Sequence, residues 1–449
     1  MPANAAASYR VHTDAGHDAA YDHWFDGFAQ THRFHIVSPE RVVYNSRHTS
    51  DALIARIRRS GRIPDSFSFA QRRDPCLSLF RKFLSVFFPQ RQPYGGSGSE
   101  PGAANVGVTI CLDLPALPSP PPSILPSPPP TPPSHTPLPS TTTAATAAAA
   151  AATDNRPPTT LHTLTDSSVL QALDPRTLEP LGLARQTALH PDLRGPCSCA
   201  HAQTDPETGD VYNYNLELGH PPTYRVFCVS RATGTTAVLA TIRDAPAAYL
   251  HSFFLTPRYL VLCVFSAHFS LGGLPLLYHR NMLDALDDVA ADRPALWYVI
   301  DRRGRRGVLH RYSSMPFFAF HTANAWEEHG GIVAELPAFS STDIIKKFYM
   351  HHLLGRGAEA ARWLQRGRPR FCRFWLGGVD RAHPTATAAA AAAASMSEAV
   401  KVWEAHEDVS FELPTVNPLY RTRPTRYSPC PSWLEARLRL TRDGGKPQN

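Results

Sequence analysis

Three of the 21 histidines in this 449-residue chain lie at or beside the ends of strand-like runs. They are His201, His251 and His321, which are 50 and 70 residues apart. These separations exclude a local zinc knuckle, whose ligands come in close pairs. They suit a metal-ligand set to which successive sheets each contribute one imidazole near a common axis. Taken singly, each histidine is more often a hydrogen-bonded residue of the core or surface than a ligand.

The composition narrows the class of protein. The chain is 43% hydrophobic and 18% charged with a net charge of +7, so a wholly disordered chain is excluded. We find no run of eighteen apolar residues and no basic-then-apolar pattern at the start of the chain. Eight scattered cysteines suit reduced thiols better than a disulfide scaffold. These features predict a cytoplasmic protein.

The elements that position the histidines are predicted to be mostly short strands. A hairpin is expected around the turn at 231–234, and helical pattern is rare. Many short strands with turn punctuation indicate a barrel, a sandwich or a propeller, and periodicity does not choose among them. The predicted strands are 106–110, 161–170, 224–229, 237–242, 259–265, 296–300, 307–312 and 316–320, and the predicted helices are 343–354 and 358–365.

Two biased tracts interrupt this pattern. Residues 115–158 contain 15 of the 43 prolines and a Thr/Ala run at 141–152. Such a segment cannot bury a core. We predict a solvated, disordered insertion there, with a proline-rich ligand for a partner domain as the alternative. An alanine-rich insertion is predicted at 385–397. Because strands flank the first tract, residues 1–449 are interpreted as one domain.

The segments around the three histidines resemble the first three histidine motifs of the carotenoid oxygenase family. The resemblance runs from about Tyr9 to Tyr427 and includes several other ordered motifs. It implies an all-β fold, a seven-bladed β-propeller with a few helices on one face. The residues that carry the resemblance are 23–28, 73–88, 105–110, 174–180, 199–206, 205–214, 249–256, 317–328 and 411–417.

The resemblance also implies a metal centre. Family members hold a non-haem Fe(II) through histidines, which here are His201, His251 and His321. Neutral imidazoles suit ferrous iron and can leave positions open for dioxygen and substrate. Carboxylates that accept the free ring N–H are implied at Glu412 and Asp166. Asp166 is one methylene shorter than the family glutamate.

The implied reaction is oxidative cleavage of a polyene C=C bond of a carotenoid, with dioxygen supplying the oxygens of two carbonyl products. A membrane-dissolved substrate implies peripheral membrane contact, because the enzyme needs a route from the bilayer. An amphipathic core helix is the alternative interpretation of the candidate docking segment. That segment presents Phe80, Phe83, Leu84, Phe87 and Phe88 at helical spacing, beside Arg81 and Lys82.

No segment up to Asn449 resembles the family's fourth histidine motif, so we expect a propeller that is incomplete at both ends. This keeps open a degenerate, non-catalytic polyene-binding relative. A stilbene-cleaving dioxygenase is a further alternative. A third class, a basic nucleic-acid or scaffold protein, would use the arginine-rich runs 302–306 and 366–371. We expect no nucleic-acid partner, because a pI near 9.0 from scattered arginines usually reflects a solvated face.

Overall fold

A computed structural model describes residues 2–64, 68–70, 100–115, 117, 158–380, 396–406 and 409–425. Strands dominate these ranges, and the helices are short. All six cysteines that fall within them are free thiols, in agreement with the reduced-thiol prediction. No helix in the part of the chain that the structure describes is long and apolar enough to cross a membrane.

The strands follow one another with short connections over most of the chain. In chain order they are β1 Pro2–Ser8, β2 Arg10–His12, β3 Asp18–Ala20, β4 Phe28–Ser38, β5 Arg41–His48, β6 Thr109–Leu112, β7 Leu161–Leu164, β8 Val169–Leu173, β9 Pro180–Arg185, β10 Cys197–Ser198, β11 Gln203–Thr204, β12 Val211–Glu217, β13 Thr223–Val229, β14 Thr236–Ile242, β15 Phe254–Leu255, β16 Tyr259–Val264, β17 Ala295–Asp301, β18 Val308–Ser314, β19 Asn324–Glu328, β20 Gly331–Ala338, β21 Arg370–Leu376 and β22 Ser397–Glu404. The helices are α1 Asp51–Ser60, α2 Leu274–His279, α3 Met282–Ala285, α4 Asp343–Lys347, α5 Met350–Leu354 and α6 Ala358–Gln365.

Most strands form antiparallel sheets of sequential neighbours. Strands β6 to β9 form one sheet, and β10, β12, β13 and β14 form the next, with β11 added to β12. Strands β15 to β18 and β19 to β22 form two further units, joined by a short parallel pairing of β18 with β22. Strands β1, β4 and β5 form another sheet, and β2 pairs with β3. Repeated four-stranded antiparallel units of this kind are the blades of a propeller.

The core lies between these sheets, and this explains the apolar strands. All six residues of β16 and all eight of β20 are buried, so these strands are covered on both faces. Trp297 of β17 is fully buried and packs against Phe254, Phe317 and Phe374. A strand covered on both faces is expected to be a nearly continuous apolar run, which is what the sequence shows.

The order of strands places each histidine just before a short strand. His201 precedes β11, His251 precedes β15, and His321 precedes β19, each by two or three residues. The spacings of 50 and 70 residues therefore correspond to the length of one sheet and its connections. Equivalent positions in successive sheets bring the three histidines together.

Several predicted elements agree with the structure, and others are wrong. The hairpin around 231–234 is confirmed by the pairing of Val229 with Thr236, and Gly234 takes the positive φ of 66° that this turn needs. The predicted strand 316–320 is wrong, because only an isolated bridge from Phe318 to Phe339 forms there. This segment is a buried aromatic connection that leads to His321.

Two further predictions are wrong at their boundaries. The predicted strand 161–170 is two strands, β7 and β8, with a turn between them that carries Asp166. The predicted helix 343–354 is divided into α4 and α5, because the backbone at Phe348 and Met350 bonds instead to the segment around Trp24. Tertiary hydrogen bonds thus compete with helix continuation here.

Both biased tracts lie in connections between paired strands. The proline-rich tract connects β6 to β7, where Thr109 pairs with Leu164, and the alanine run connects β21 to β22. Most residues of 115–158 and 385–397 lie outside the described ranges. Insertion of these tracts into a single domain therefore stays a prediction.

The arginine-rich runs are largely paired with acidic residues of the same chain. Arg302 bonds to Asp205, Arg303 lies 3.5 Å from Glu207, and Arg306 lies 2.6 Å from Asp301. In the second run, Arg366 lies 3.8 Å from Asp343 and Arg370 lies 2.6 Å from Glu404. Five of the seven arginines in these runs therefore have an acidic partner, although Arg303, Arg305 and Arg306 are exposed.

A buried histidine near the start of the chain gives the fold a testable response to pH. His23 is fully buried, with its Nε2 at 2.8 Å from the Ile345 carbonyl and its Nδ1 accepting from the Phe25 N–H at 3.2 Å. Burial lowers the pKa of His23 to about 4. The folded protein therefore holds a neutral imidazole, whereas the unfolded chain takes up a proton near pH 6.5.

We expect the stability contributed by neutral His23 to be complete above pH 6.5 and to be lost as the pH falls towards 4. The expected loss is about 3 kcal/mol at pH 4. The measurement is urea unfolding of the wild type and of His23→Gln at pH 7 and pH 4. The stability advantage of the wild type should shrink by that amount, and an unchanged difference would contradict the prediction. Burial raises the pKa of Asp26 to about 7, so this carboxyl group changes stability with pH in the opposite direction. Wild type and His23→Gln both contain Asp26, so its contribution cancels in the difference between them.

Candidate metal centre

The three predicted histidines meet in one cluster. One ring nitrogen from each of His201, His251 and His321 lies within 4.8 Å of the others. Their ring centroids are 4.7 to 5.2 Å apart. Among the residues that the structure describes, this is the group of His, Cys, Asp or Glu side chains whose geometry could hold a metal ion.

The segments that carry the histidines are bonded to one another. The His201 N–H donates to the His251 carbonyl at 3.3 Å, and the Ser252 hydroxyl donates to the Phe320 carbonyl at 2.7 Å. These two hydrogen bonds link the loops that carry the histidines and do not belong to the pairing of the strands. They fix the three imidazoles relative to one another before any ligand binds.

His251 is oriented by the predicted carboxylate of Asp166. Its Nδ1 lies 2.8 Å from Asp166 Oδ1 and 2.9 Å from Oδ2, and both side chains are about nine-tenths buried. The Asp166 backbone is held in turn, because its carbonyl accepts from the Ser198 N–H at 2.9 Å. A carboxylate on Nδ1 fixes the proton there and leaves Nε2 with a free lone pair.

His321 is oriented by the second predicted carboxylate. Its Nδ1 lies 2.7 Å from Glu412 Oε2. The segment that presents Glu412 is attached to the sheet by Ser410, whose hydroxyl donates to the Pro369 carbonyl at 3.0 Å. Glu412 and Asp166 thus each accept a hydrogen bond from Nδ1 of one imidazole and fix the orientation of that ring.

His201 has a different environment from the other two. Within the described ranges no carboxylate contacts its ring, which faces the imidazoles of His251 and His321. Burial lowers the pKa of His201 well below its usual value, and the two neighbouring imidazoles lower it further. His201 is therefore neutral at physiological pH, which is the form that binds a metal.

An aromatic wall adjoins the histidines. We use this name for Phe25, Phe69, Phe318 and Phe320. Phe320 lies 5.8 Å from the His251 ring and 5.6 Å from Phe25, and Phe25 lies 5.1 Å from Phe69. Edge-on and stacked rings of this kind provide an apolar surface for an unsaturated ligand.

Two cavities border the centre. A cavity of about 280 Å³ touches His201 and is lined by polar groups that include Gln203, Asn324 and Arg421. A cavity of about 160 Å³ is lined by Asp166 and by apolar side chains that include Phe25 and Phe69. The centre therefore has a polar cavity on the side of His201, and Phe25 and Phe69 of the aromatic wall line the second cavity.

The predicted site residues have different outcomes. The structure brings together His201, His251, His321, Asp166 and Glu412. Glu327, six residues after His321, is not part of this group: it accepts hydrogen bonds from Arg258 and the Thr256 hydroxyl and has a structural role. The predicted membrane-docking residues Phe80, Phe83, Leu84, Phe87 and Phe88 lie outside the described residues.

Tyr249 also belongs to the site, although the sequence did not single it out. Its hydroxyl lies 2.8 Å from Asp166 Oδ2 and 3.3 Å from His251 Nδ1. A tyrosine two residues before a ligand histidine carries no distinctive sequence signal by itself, because buried tyrosines are common in β-rich cores.

The donor set fits a divalent transition-metal ion such as Fe(II). Three imidazoles converge with no thiolate in the group, and carboxylates lie behind two of the three rings. Imidazole suits Fe, Cu, Ni and Zn, and the two buried carboxylates offset the charge of a divalent cation. The fold and the site together define a β-propeller protein with a cluster of three histidines that could hold a metal ion.

Comparison with known proteins identifies the family. The sequence matches the model of the family described as retinal pigment epithelial membrane protein, RPE65, over residues 6–430. The carotenoid dioxygenase of Neurospora crassa is 35% identical over 441 residues, which cover 93% of this chain and 68% of that protein. The torulene dioxygenase of Gibberella fujikuroi is 35% identical over 422 residues, which cover 90% of this chain and 67% of that protein. The chain belongs to the carotenoid oxygenase (RPE65) family.

The fold agrees with solved structures. The Synechocystis apocarotenoid oxygenase superposes with a TM-score of 0.61 at 16% identity, over 96% of this chain and 71% of that one. The prediction of an all-β propeller of the carotenoid oxygenase type is therefore confirmed.

Proposed function

We propose that this protein is an Fe(II)-dependent dioxygenase that cleaves a C=C bond of a carotenoid polyene and yields aldehydes. The observation that carries the proposal is the convergence of His201, His251 and His321, with carboxylates on two of the three rings. A degenerate relative without catalysis would have no requirement to keep these pairs.

The histidines and the carboxylates would have different roles. His201, His251 and His321 would hold Fe(II), which supplies the one-electron chemistry that dioxygen needs to react with a closed-shell polyene. Asp166 and Glu412 would keep the protons on Nδ1 of His251 and His321. Their two negative charges would also offset the charge of the cation in a buried site.

A carotenoid suits the surroundings of the centre. Phe25 of the aromatic wall is 37% exposed and can offer ring contacts to a conjugated chain. It lies 5.6 Å from Phe320, which is 5.8 Å from the His251 ring. Two relatives at 35% identity are named carotenoid dioxygenase and torulene dioxygenase. We therefore favour a carotenoid over a stilbene as the substrate, and dioxygen as the second substrate.

Peripheral membrane contact follows from the same substrate. A carotenoid dissolves in the bilayer, so the enzyme must extract it there. The segment with Phe80, Phe83, Leu84, Phe87 and Phe88 remains our candidate for this contact, since it combines apolar and basic residues.

The test is turnover by purified protein loaded with ferrous iron, followed by the polyene absorption band and by mass spectrometry of the products. Under ¹⁸O₂ we expect loss of the band and label in both aldehydes, whereas metal-stripped protein should be inactive. A stilbene assayed in parallel should react more slowly. An unchanged polyene spectrum with folded, iron-loaded protein would refute the catalytic assignment.

A further inference from the structure

The Asp166 carboxylate has more partners than the imidazole that it orients. Its Oδ1 accepts from the Ala200 N–H at 3.2 Å, and its Oδ2 accepts from the Tyr249 hydroxyl at 2.8 Å. Both oxygens also lie within 2.9 Å of His251 Nδ1. Each oxygen therefore has one donor besides the imidazole, and the carboxylate plane is fixed on both sides.

The Glu412 carboxylate is bound differently. Its Oε2 accepts from His321 Nδ1 and from its neighbour's N–H, that of Leu413. Its Oε1 is buried and has no hydrogen-bond partner in the described part of the chain. A hydroxyl donor is thus a feature of the aspartate site and not of the glutamate site.

Tyr249 is rigidly held for this contact. The residue is 3% exposed, and its ring packs at 5.7 Å from Phe69, 6.1 Å from Phe318 and 6.2 Å from Phe320. A phenol is protonated at neutral pH and can donate one hydrogen bond. The hydroxyl donates to Asp166 Oδ2, because the nearby His251 Nδ1 carries the proton that it donates to the same carboxylate and cannot accept.

We propose that Tyr249 is a positioning residue of the metal centre, whose hydroxyl holds the Asp166 carboxylate so that His251 directs Nε2 to the metal. The inference rests on the proposed function. Rotation of the Asp166 carboxylate about its last C–C bond would move both oxygens relative to His251 Nδ1. The hydroxyl opposes that rotation, and it lowers the charge on Oδ2, which keeps the proton on the imidazole.

The test is metal binding by Tyr249→Phe, measured by titration with Co(II) in the visible spectrum and by iron content after gel filtration. We expect about tenfold weaker metal binding. The matched control is Tyr312→Phe, which removes another buried hydroxyl, one that donates to the Gly377 carbonyl at 3.0 Å. The control should keep wild-type metal affinity. Equal affinities for wild type and Tyr249→Phe would overturn the proposal.

Testing Tyr249→Phe in a protein that already lacks the Asp166 carboxylate separates a role in positioning Asp166 from general damage to the structure. In Asp166→Ala the hydroxyl has lost its target, so adding Tyr249→Phe should weaken metal binding by less than about twofold. A further tenfold loss there would show that Tyr249 acts independently of Asp166 and would overturn the proposal.

A third measurement remains decisive should Tyr249→Phe fold poorly. Incorporation of 3-fluorotyrosine at position 249 keeps the ring packing and makes the hydroxyl a stronger donor. Metal affinity should equal or exceed that of the wild type, and an affinity as low as that of Asp166→Ala would contradict the role. Metal binding is measured without carotenoid, so inactive wild type with normal metal binding would contradict only the proposed function.

Discussion

We expect replacement of His251 or His321 with alanine to abolish retention of iron, and with it all cleavage of the polyene. Each substitution removes one of three converging imidazoles and leaves a buried carboxylate without its charge-assisted partner. Two remaining histidines cannot hold a ferrous ion against dilution, because a site with three protein ligands is already sparse. We expect less than about one tenth of an iron per chain after gel filtration.

A histidine outside the cluster provides the control. His310 bonds through Nε2 to the Val379 carbonyl at 3.0 Å and takes no part in the cluster. His310→Ala should keep iron and activity, apart from a modest loss of stability. The measurement is iron per folded chain by plasma mass spectrometry, with circular dichroism to show that each variant is folded. Stoichiometric iron in folded His251→Ala or His321→Ala would refute the ligand assignment.

The same pair of variants distinguishes the two carboxylates. Asp166 keeps the Tyr249 hydroxyl and the Ala200 N–H when His251 is removed, whereas Glu412 keeps only a backbone donor when His321 is removed. The uncompensated charge is therefore greater at Glu412. We expect His321→Ala to lower the melting temperature more than His251→Ala.

Local sequence motifs predicted most of the residues of the candidate site, but they did not predict which of them contact one another. The three histidines and both carboxylates were predicted from resemblance to a family, because each lies in a short, distinctive segment. The contacts between them span 85 residues for His251 with Asp166 and 91 for His321 with Glu412. Hydrophobic periodicity describes neighbours a few positions apart, so it gives no pairing at such separations.

The errors in secondary structure have a related cause. The run 316–320 has the apolar composition of a strand, yet its aromatic rings fill the core around the centre instead of pairing in a ladder. The helix predicted over 343–354 is interrupted by bonds to Asp22 and Trp24, more than 300 residues earlier in the chain. Local propensity is a weak prior, and tertiary contacts determined both outcomes.

Arg302 shows most clearly how composition misleads. In the sequence it belongs to a run of four arginines around one glycine, which suggests a cationic surface. In the structure its side chain is 1% exposed and bonds to the Asp205 carboxylate and to the Thr256 carbonyl. The guanidinium also lies 4.7 Å from the centre of the Tyr212 ring. Charge runs do not reveal which members are buried, because burial depends on the neighbouring sheets.

Replacing Arg302 with methionine should therefore cost about 3–5 kcal/mol of unfolding free energy. The substitution keeps most of the volume but leaves the Asp205 carboxylate buried and unpaired, since that side chain is only 5% exposed. The measurement is urea unfolding at pH 7, with an unchanged dependence on denaturant as evidence that the transition is the same. Because Asp205 lies before β12 and Arg302 follows β17, the pair joins two sheets, and its loss should destabilise the whole domain.

Two companion variants make this prediction specific. Arg303→Ala breaks an exposed pair with Glu207, whose side chains are 61% and 63% accessible, and should cost less than about 1 kcal/mol. The double variant Arg302→Met with Asp205→Asn removes the orphaned charge while its amide oxygen can still accept from the Glu207 N–H. It should recover much of the stability lost by Arg302→Met alone, because an uncompensated buried charge, not the missing attraction, dominates the loss. An Arg302→Met protein no less stable than Arg303→Ala would show that the Arg302–Asp205 pair is solvated and would contradict the prediction.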